Sequence, residues 1–480
     1  MNTTKLVILS SAITLSVFTS SSSVKSLPTL PCANTGLNSN NLVVCSATYL
    51  GSNTNDSGVA VEITPSDKVV IAANIPGNNF GKTPINLKAG SSTTLGGNGA
   101  VIMTDYTGKT VISVTRLGNN LYDLDVNRSL GQIAVVGDFG LAVLNPQGTQ
   151  VLWSKTPTQL GNSSMSNTAR VTVGNNGNIA VLSGNKVTIF KPDGNLIATN
   201  SQFSISGTVV NDITLHDASN SLIATGYTQK DGGSCTPVQV AFLRSYSYTG
   251  SIKWTNYDWS NSSDIYKIKK QCADTRGIRV TIGRDNKLYF AGESAGGNTI
   301  YSQNPRDLNN APNVKFDQYN DPYNTSSNHI TYYGKFDPAT GIMSMGQFAL
   351  SRLSTGAGNT IRPNAITADE KGNIYITGVS AAFSANRNSQ SISSKFVGNY
   401  VGGDGFLLVV SPDFKTRKIW TTWTGTNTST SLQTTLLGVA AGQNIAAIIG
   451  TSNGNMITVN PFQGTNPGGL NAFFSVFPGF

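Results

Sequence analysis

Short apolar runs rich in β-branched and aromatic residues recur along the chain, separated by clusters of Gly, Asn, Asp and Pro. The stretch 363–424 shows the pattern most plainly. Asn364-Ala-Ile-Thr-Ala leads into a polar turn, Asp369-Glu-Lys-Gly-Asn, and then Ile374-Tyr-Ile-Thr-Gly; after a long polar loop come Gly402-Gly-Asp-Gly-Phe-Leu-Leu-Val-Val, a turn at Ser411-Pro-Asp, and Lys418-Ile-Trp-Thr-Thr-Trp-Thr. Turn residues of these types reach backbone dihedrals that others resist, and β-branched and aromatic side chains suit a pleated surface, so the pattern predicts four successive antiparallel strands.

The second strand of this unit recurs seven times, beginning at Val69, Ile133, Ile179, Leu222, Leu288, Ile374 and Ile445, each copy preceded by another short apolar run. The tightest copies lie near the spacing of one propeller blade. The seventh unit is incomplete: Gly468-Gly-Leu-Asn-Ala-Phe-Phe aligns with the third strand of the sixth unit, and no fourth strand follows before Phe480. The run 42–49, upstream of the first unit, has the pattern of a fourth strand. The expected fold is therefore an all-β, seven-bladed β-propeller of four-stranded antiparallel blades. Its ring is closed by the N-terminal strand 42–49, which completes the last blade and spares both ends an open edge.

Tyr49-Leu-Gly before Gly58-Val-Ala-Val, Gly96-Gly-Asn-Gly-Ala-Val, Asp369-Glu-Lys-Gly-Asn-Ile-Tyr-Ile-Thr-Gly and Gly402-Gly-Asp-Gly-Phe resemble the SBBP family of bacterial β-propeller repeats. The resemblance runs over almost all of 42–480, with units two and three departing from it in their third strands. It implies a propeller scaffold and leaves the ligand open.

Composition changes this picture mainly at the N-terminus. Of the 480 residues 12% are charged, which suits a β repeat array better than a helical enzyme. Residues 1–26 combine Lys5, an apolar run from Leu6 to Phe18, a Ser cluster and a small-residue cleavage site at Val24-Lys25-Ser26, the pattern of a secretory signal peptide. Residues 27–41 then form an N-terminal extension, 42–480 form the single propeller domain, and the mature chain is expected to be secreted or periplasmic. Loss of Lys5 and Lys25 takes the formal charge from +9 to +7. The basic residues are scattered, with no interleaved basic and aromatic stripe for nucleic acid, and no later run is apolar for long enough to span a membrane.

An antiparallel blade sends its strand-two-to-three loops and its blade connections to one face and its short hairpins to the other. The long loops, 74–95, 228–237, 294–328, 380–401 and 451–467, and the connections 156–168, 258–277 and 351–362 all fall on the first face. Long loops on a rigid scaffold are where binding usually resides. Arg276, Arg306, Asp321, Tyr323, Arg362, Arg387 and Tyr400 are the candidate binding residues there, and a glycan, a peptide or a cell-envelope protein is the candidate partner of a non-enzymatic binding or scaffold module. The alternative is a hydrolase or lyase using acid/base carboxylates at the axial mouth, with Asp56, Asp123 and Asp212 as candidates.

The four cysteines fit the same topology. Cys235, in a strand-two-to-three loop, and Cys272, in the connection leaving that blade, should emerge together, and Cys32 precedes the strand holding Cys45. Disulfides Cys235–Cys272 and Cys32–Cys45 are expected in an exported chain, with free thiols as the alternative. No metal site or cofactor is expected, since His216 and His329 are far apart and there is no Cys-x-x-Cys.

Gly292-Glu-Ser294-Ala-Gly matches a nucleophile-elbow string. The same string recurs around Ser452 at the equivalent blade position, and no helix pattern follows either copy, so it reads as a by-product of the strand-two exit. Aligned first strands place Asp123, Arg170, Asp212 and Arg279 at one site in four consecutive units, alternating in sign. They are expected to form inter-blade ion pairs near the axis, or else a charged channel mouth.

Overall fold

The computed structural model describes Cys32, residues 40–90, 95–231, Cys235 and residues 237–259, 270–315, 329–353, 355–381, 389–398, 403–423 and 434–480. Among them the chain folds as an all-β propeller of four-stranded antiparallel blades. The inner strands are Ser57–Ile63, Leu121–Val126, Arg170–Val173, Thr208–His216, Thr275–Ile282, Ile361–Ala368 and Thr434–Ala441. Each contacts the next, and the last contacts the first. A geometric blade count gives eight, against the seven expected from the repeat. Among the described residues, hydrogen-bonded ladders of four antiparallel strands number seven, accompanied by two small accessory sheets, and the blades are numbered one to seven here from Ser57–Ile63.

Apolar side chains of adjacent sheets interlock between blades, because each sheet carries buried residues on both faces. The interface of blades four and five is the most aromatic. There the Tyr257 hydroxyl donates to the Tyr332 hydroxyl at 3.0 Å, and the Tyr301 and Tyr332 rings stack with centroids 4.5 Å apart. Trp254 and Trp420 are buried, and Trp254 Nε1 donates to the Pro338 carbonyl of blade five. Both tryptophans are thus packing elements.

Ring closure is divided between two pieces of the N-terminal segment. Ser46–Tyr49 pairs antiparallel with Asn471–Pro478, the third strand of blade seven, and supplies its missing fourth strand. The expected run 42–49 is not one strand, however. Asn41–Leu42 pairs in parallel with Ser391–Ile392, in the long loop of blade six. Cys32 and Cys45 are bonded, as are Cys235 and Cys272.

Two of the long loops return onto the outer strand of their own blade. Ile85–Asn86 pairs in parallel with Val111–Arg116, the outer strand of blade one, and Val314–Lys315 does the same against Met343–Ala349 in blade five. An outermost strand presents unpaired N–H and C=O groups, and a returning loop that pairs with them removes an aggregation edge.

Tyr49 locks the closing strand. Its hydroxyl donates to the Gly454 carbonyl at 2.6 Å and accepts from the Met456 N–H at 2.5 Å, and its ring meets Phe473 edge-on. Tyr49→Phe keeps the ring and strands the buried Met456 N–H. The expected cost is about 1–3 kcal/mol, read as a lower denaturant midpoint at unchanged slope; an unchanged midpoint would show that the seam does not depend on this hydroxyl.

Candidate functional site

Two polar clusters stand out, one along the axis and one on the long-loop face. The axial cluster begins with a backbone irregularity. Six of the seven inner strands carry a β-bulge at the equivalent place, at Val59, Tyr122, Asn211, Ile278, Asn364 and Leu437. Only Arg170–Val173 pairs without one. A bulge re-aims the residues that follow it. By ladder register the next position in each blade is Ala60, Asp123, Arg170, Asp212, Arg279, Ala365 and Gly438. The four charged residues aligned from the sequence therefore do occupy equivalent sites in blades two to five.

These residues line a cavity of about 1010 Å³ on the propeller axis, together with Glu62, Asp125, Arg128, His216 and Asp217. Their contacts differ from the expected ion pairs: no pairing within 4 Å joins Asp123, Arg170, Asp212 and Arg279. Asp123 Oδ2 instead accepts the Val171 N–H at 3.0 Å and Asp212 Oδ2 the Val280 N–H at 2.9 Å, in each case from the neighbouring inner strand. Asp125 Oδ2 likewise accepts the Val173 N–H at 2.7 Å. The reason is that an inner strand is an edge, and its N–H groups need acceptors. Arg279 Nε donates to the Asn364 carbonyl at 2.7 Å, and Arg170 Nη1 to the carbonyls of Asn167 and Ala169. The opposite charges act on one another at longer range across the lumen.

Arg284 crosses the hairpin end of the axis. Its backbone N–H donates to Ala368 O in blade six, and its side chain donates to Ala441 O in blade seven and to Ile63 O in blade one, the latter at 2.9 Å. Nearby, Asn175 Nδ2 donates to Asn286 Oδ1 between blades three and five.

Burial in the protein mass perturbs the axial carboxylates, although they keep partial exposure to the lumen. Glu62 is pushed up to about 8 by burial and by the Asp125 charge, against the pull of Arg128 and Arg284. Burial likewise pushes Asp125 and Asp212 up to about 6, against the N–H bonds and arginines facing them. It raises Asp123 in the same sense, against Arg170. His216, whose Nδ1 lies 2.6 Å from Ser219 Oγ, is lowered by burial.

The second cluster lies between blades five and six. Glu293, in the strand Leu288–Ser294, sits cross-strand from Arg276 and accepts from its Nη1 at 2.7 Å. Arg362, in the inner strand of blade six, approaches the other carboxylate oxygen at 3.5 Å. Its Nη2 lies 2.9 and 2.8 Å from the two ring nitrogens of His329. Burial first, and then the two arginines, hold the His329 imidazole below its ordinary value against the pull of Glu293 and Asp274. Gln239 accepts from Arg276 Nε, and the Tyr227 ring lies under the guanidinium. The carboxylate side chain is 6% exposed, whereas those of Arg276 and Arg362 are 30% and 42% exposed, so the cluster shows solvent its positive side.

Arg276 and Arg362 are thus brought together. Arg306 lies elsewhere: it bonds Asn256 Oδ1 and the Thr340 carbonyl and covers the Trp254 ring, joining blades four and five. Asp321, Tyr323, Arg387 and Tyr400 lie outside the described residues. Asp56 does not line the axial cavity but is buried, accepting from the Ser52 N–H at 2.5 Å and from the Ser52 hydroxyl at 3.0 Å. Ser294 is buried in strand and donates to Gly296 O at 2.8 Å, so the elbow string has no exposed nucleophile. The sequence does not single out Glu293, Glu62 or Asp125; Glu293 is visible there only as the residue before Ser294 in that string.

The raised carboxylates predict a pH profile of unusual sign. Glu62 moves from an ordinary 4.5 to about 8 and Asp125 and Asp212 from 3.8 to about 6, so over this range the folded chain holds protons that the unfolded chain releases. Stability from these groups is fully present below about pH 4 and is lost as pH rises toward 8. The mature protein should be more stable at pH 5 than at pH 8 by several kcal/mol, and Glu62→Gln should flatten most of the limb between pH 6 and 8. A wild-type slope in Glu62→Gln would remove Glu62 as its source.

No curated protein sequence matches the chain. Among solved structures, the C-terminal WD40 domain of Sif2 is 8% identical, with coverage of 92% of this chain and 97% of its own and a TM-score of 0.42. A chain of the Mitotic Checkpoint Complex is 9% identical, covering 81% and 86% at 0.40, and the Neurospora crassa Pan2 WD40 domain is 8% identical, covering 75% and 89% at 0.36. The family match falls on the end of blade five, the connection, and strands one and two of blade six: residues 348–382 match the SBBP β-propeller repeat, in a chain that folds as a β-propeller.

Proposed function

We propose that the protein is an exported, non-enzymatic binding module that holds an acidic partner on the long-loop face, between blades five and six. The observation that carries this reading is the meeting of Arg276 and Arg362 on one buried carboxylate, with both guanidinium groups still accessible. Glu293 fixes the two arginines in place, so little side-chain freedom remains to be lost when a ligand carboxylate, sulfate or phosphate accepts from them. The partner is then an acidic glycan, an acidic peptide segment or an acidic cell-envelope protein. The hydrolase or lyase reading draws less support. Of its three carboxylates, Asp56 is spent on Ser52, while Asp123 and Asp212 each accept a backbone N–H.

Export is part of the same reading, with residues 1–26 acting as a cleaved signal peptide. The two disulfides and the absence of a helix long and apolar enough to cross a membrane, among the described residues, are consistent with an extracytoplasmic setting. N-terminal sequencing of protein recovered outside the cytoplasm should begin at Leu27; recovery of intact Met1 or of only cytoplasmic protein would contradict it.

The binding claim is tested on arrays of acidic and neutral glycans and peptides probed with the mature protein at low and high salt. Acidic ligands should be retained, more weakly as salt rises. The double variant Arg276→Gln/Arg362→Gln should lower their affinity at least tenfold with an unchanged melting transition. Equal retention by the double variant would dismiss this site.

A further inference from the structure

The axial cavity is separate from the arginine pair and has its own chemistry. Its volume of about 1010 Å³ lies at the upper end of the range, about 300–1,000 Å³, typical of small-molecule pockets. Blades two to five line one side with Asp123, Arg170, Asp212 and Arg279, while blades six, seven and one present Ala365, Gly438 and Ala60 at the same level. The polar side has unused capacity: Oδ2 of Asp123 and of Asp212 accepts the neighbouring strand's N–H, and Arg170 Nε is buried with no partner among the described residues. Tyr122, the bulge residue beside Asp123, adds a partly exposed aromatic face to the lining.

We infer that this cavity is a binding site for a small, uncharged polyhydroxylated molecule of mono- or disaccharide size, entering from the long-loop face. Hydroxyl groups both donate and accept, which is what alternating carboxylates and guanidiniums require of a ligand. The small residues opposite leave room for the ring, and Tyr122 offers it an apolar face. Charge balance disfavours an ion. Asp123, Asp125 and Asp212 are matched by Arg128, Arg170 and Arg279, Glu62 is held protonated near neutrality, and Asp217 at the hairpin rim is occupied by the Tyr248 hydroxyl and the Asn176 N–H. Entry is set by Arg284 and the Asn175–Asn286 contact, which cross the hairpin end, whereas Asn74, Asn120 and Asn167 line the other.

Saturation-transfer NMR and calorimetry on the mature protein would use D-glucose, D-galactose, maltose and cellobiose as probes, with glycine betaine and glutamate as zwitterionic and anionic controls. At least one sugar should bind and neither control should. Asp212→Asn keeps an acceptor for the Val280 N–H and should weaken that sugar at least tenfold. Ala365→Leu, which fills the lumen without touching a charge, should abolish binding at an unchanged melting transition. The Arg276→Gln/Arg362→Gln variant should bind the sugar as wild type does, so that this proposal and the acidic-partner reading succeed or fail separately. The inference is overturned if none of the four sugars binds, if a control binds in their place, or if Ala365→Leu binds as wild type does while folded.

Discussion

Everything in this molecule depends on the ladder between Ser46–Tyr49 and Asn471–Pro478, because a propeller has no free edge only while its ring is shut. The joint has support on three sides. Asn41–Leu42 continues the N-terminal segment onto the loop of blade six, Cys32 is bonded to Cys45 at the start of the closing strand, and the Tyr49 hydroxyl is bonded on both sides within blade seven. Arg284 adds a brace from across the axis, tying the inner-strand ends of blades six, seven and one to a hairpin of blade five. A closing strand holds by a few backbone bonds and the burial of its side chains, so such braces raise the cost of local opening at the place where the ring would otherwise open first.

Inside the ring the same edge problem recurs on a smaller scale. Each inner strand turns one row of N–H and C=O groups toward its neighbour and the lumen. Asp123, Asp125 and Asp212 answer the donors, while Asn211 and Asn364, both bulge residues, answer the acceptors Gly277 O at 2.7 Å and Leu436 O at 2.8 Å. Asn74 does both, bonding the N–H and the carbonyl of Leu121. Charged residues near the axis therefore have a structural task before any functional one. Because burial pushes the carboxylates toward neutrality, that task is performed in a region where a proton can come and go near physiological pH.

Much of this could be read from the chain. The recurrence of Ile374-Tyr-Ile-Thr-Gly in seven variants located the second strands, the missing fourth strand after Asn471 pointed to the N-terminus, and the same topology paired the cysteines. Aligning apolar positions also put Asp123, Arg170, Asp212 and Arg279 at one level. What they bond was not legible, because opposite charges in register look like ion pairs until the edge N–H groups are seen to lie nearer. The β-bulges, each a single extra residue such as Asn211 or Asn364, leave the apolar pattern almost intact and so leave no signal. Loop length alone does not show that Ile85–Asn86 or Val314–Lys315 pairs with an outer strand. Arg306 was chosen for its charge and loop, yet it is held by Asn256 and the Trp254 ring, partners far away in sequence.

The asymmetry of the axial cavity follows from how the blades are sealed to one another. In blades two, four and five a carboxylate or guanidinium at the bulge level reaches across to the next backbone, and in blade three Arg170 turns back to the carbonyls of Asn167 and Ala169. Around the closing seam the backbones come too close for that. A Cβ on Gly438 would stand 2.8 Å from Ile449 Cγ2 and 3.4 Å from Val61 N, and one on Gly58 would stand 2.8 Å from the Gly450 carbonyl. Glycine there allows blades seven and one to meet backbone to backbone. That tight seam leaves small residues at the bulge level in blades six, seven and one, so the charged groups of this level lie in blades two to five, while Glu62 of blade one lines the cavity nearer the hairpin end. A ring of generic repeats thereby acquires a charged wall at the bulge level, placed away from where the chain closes on itself.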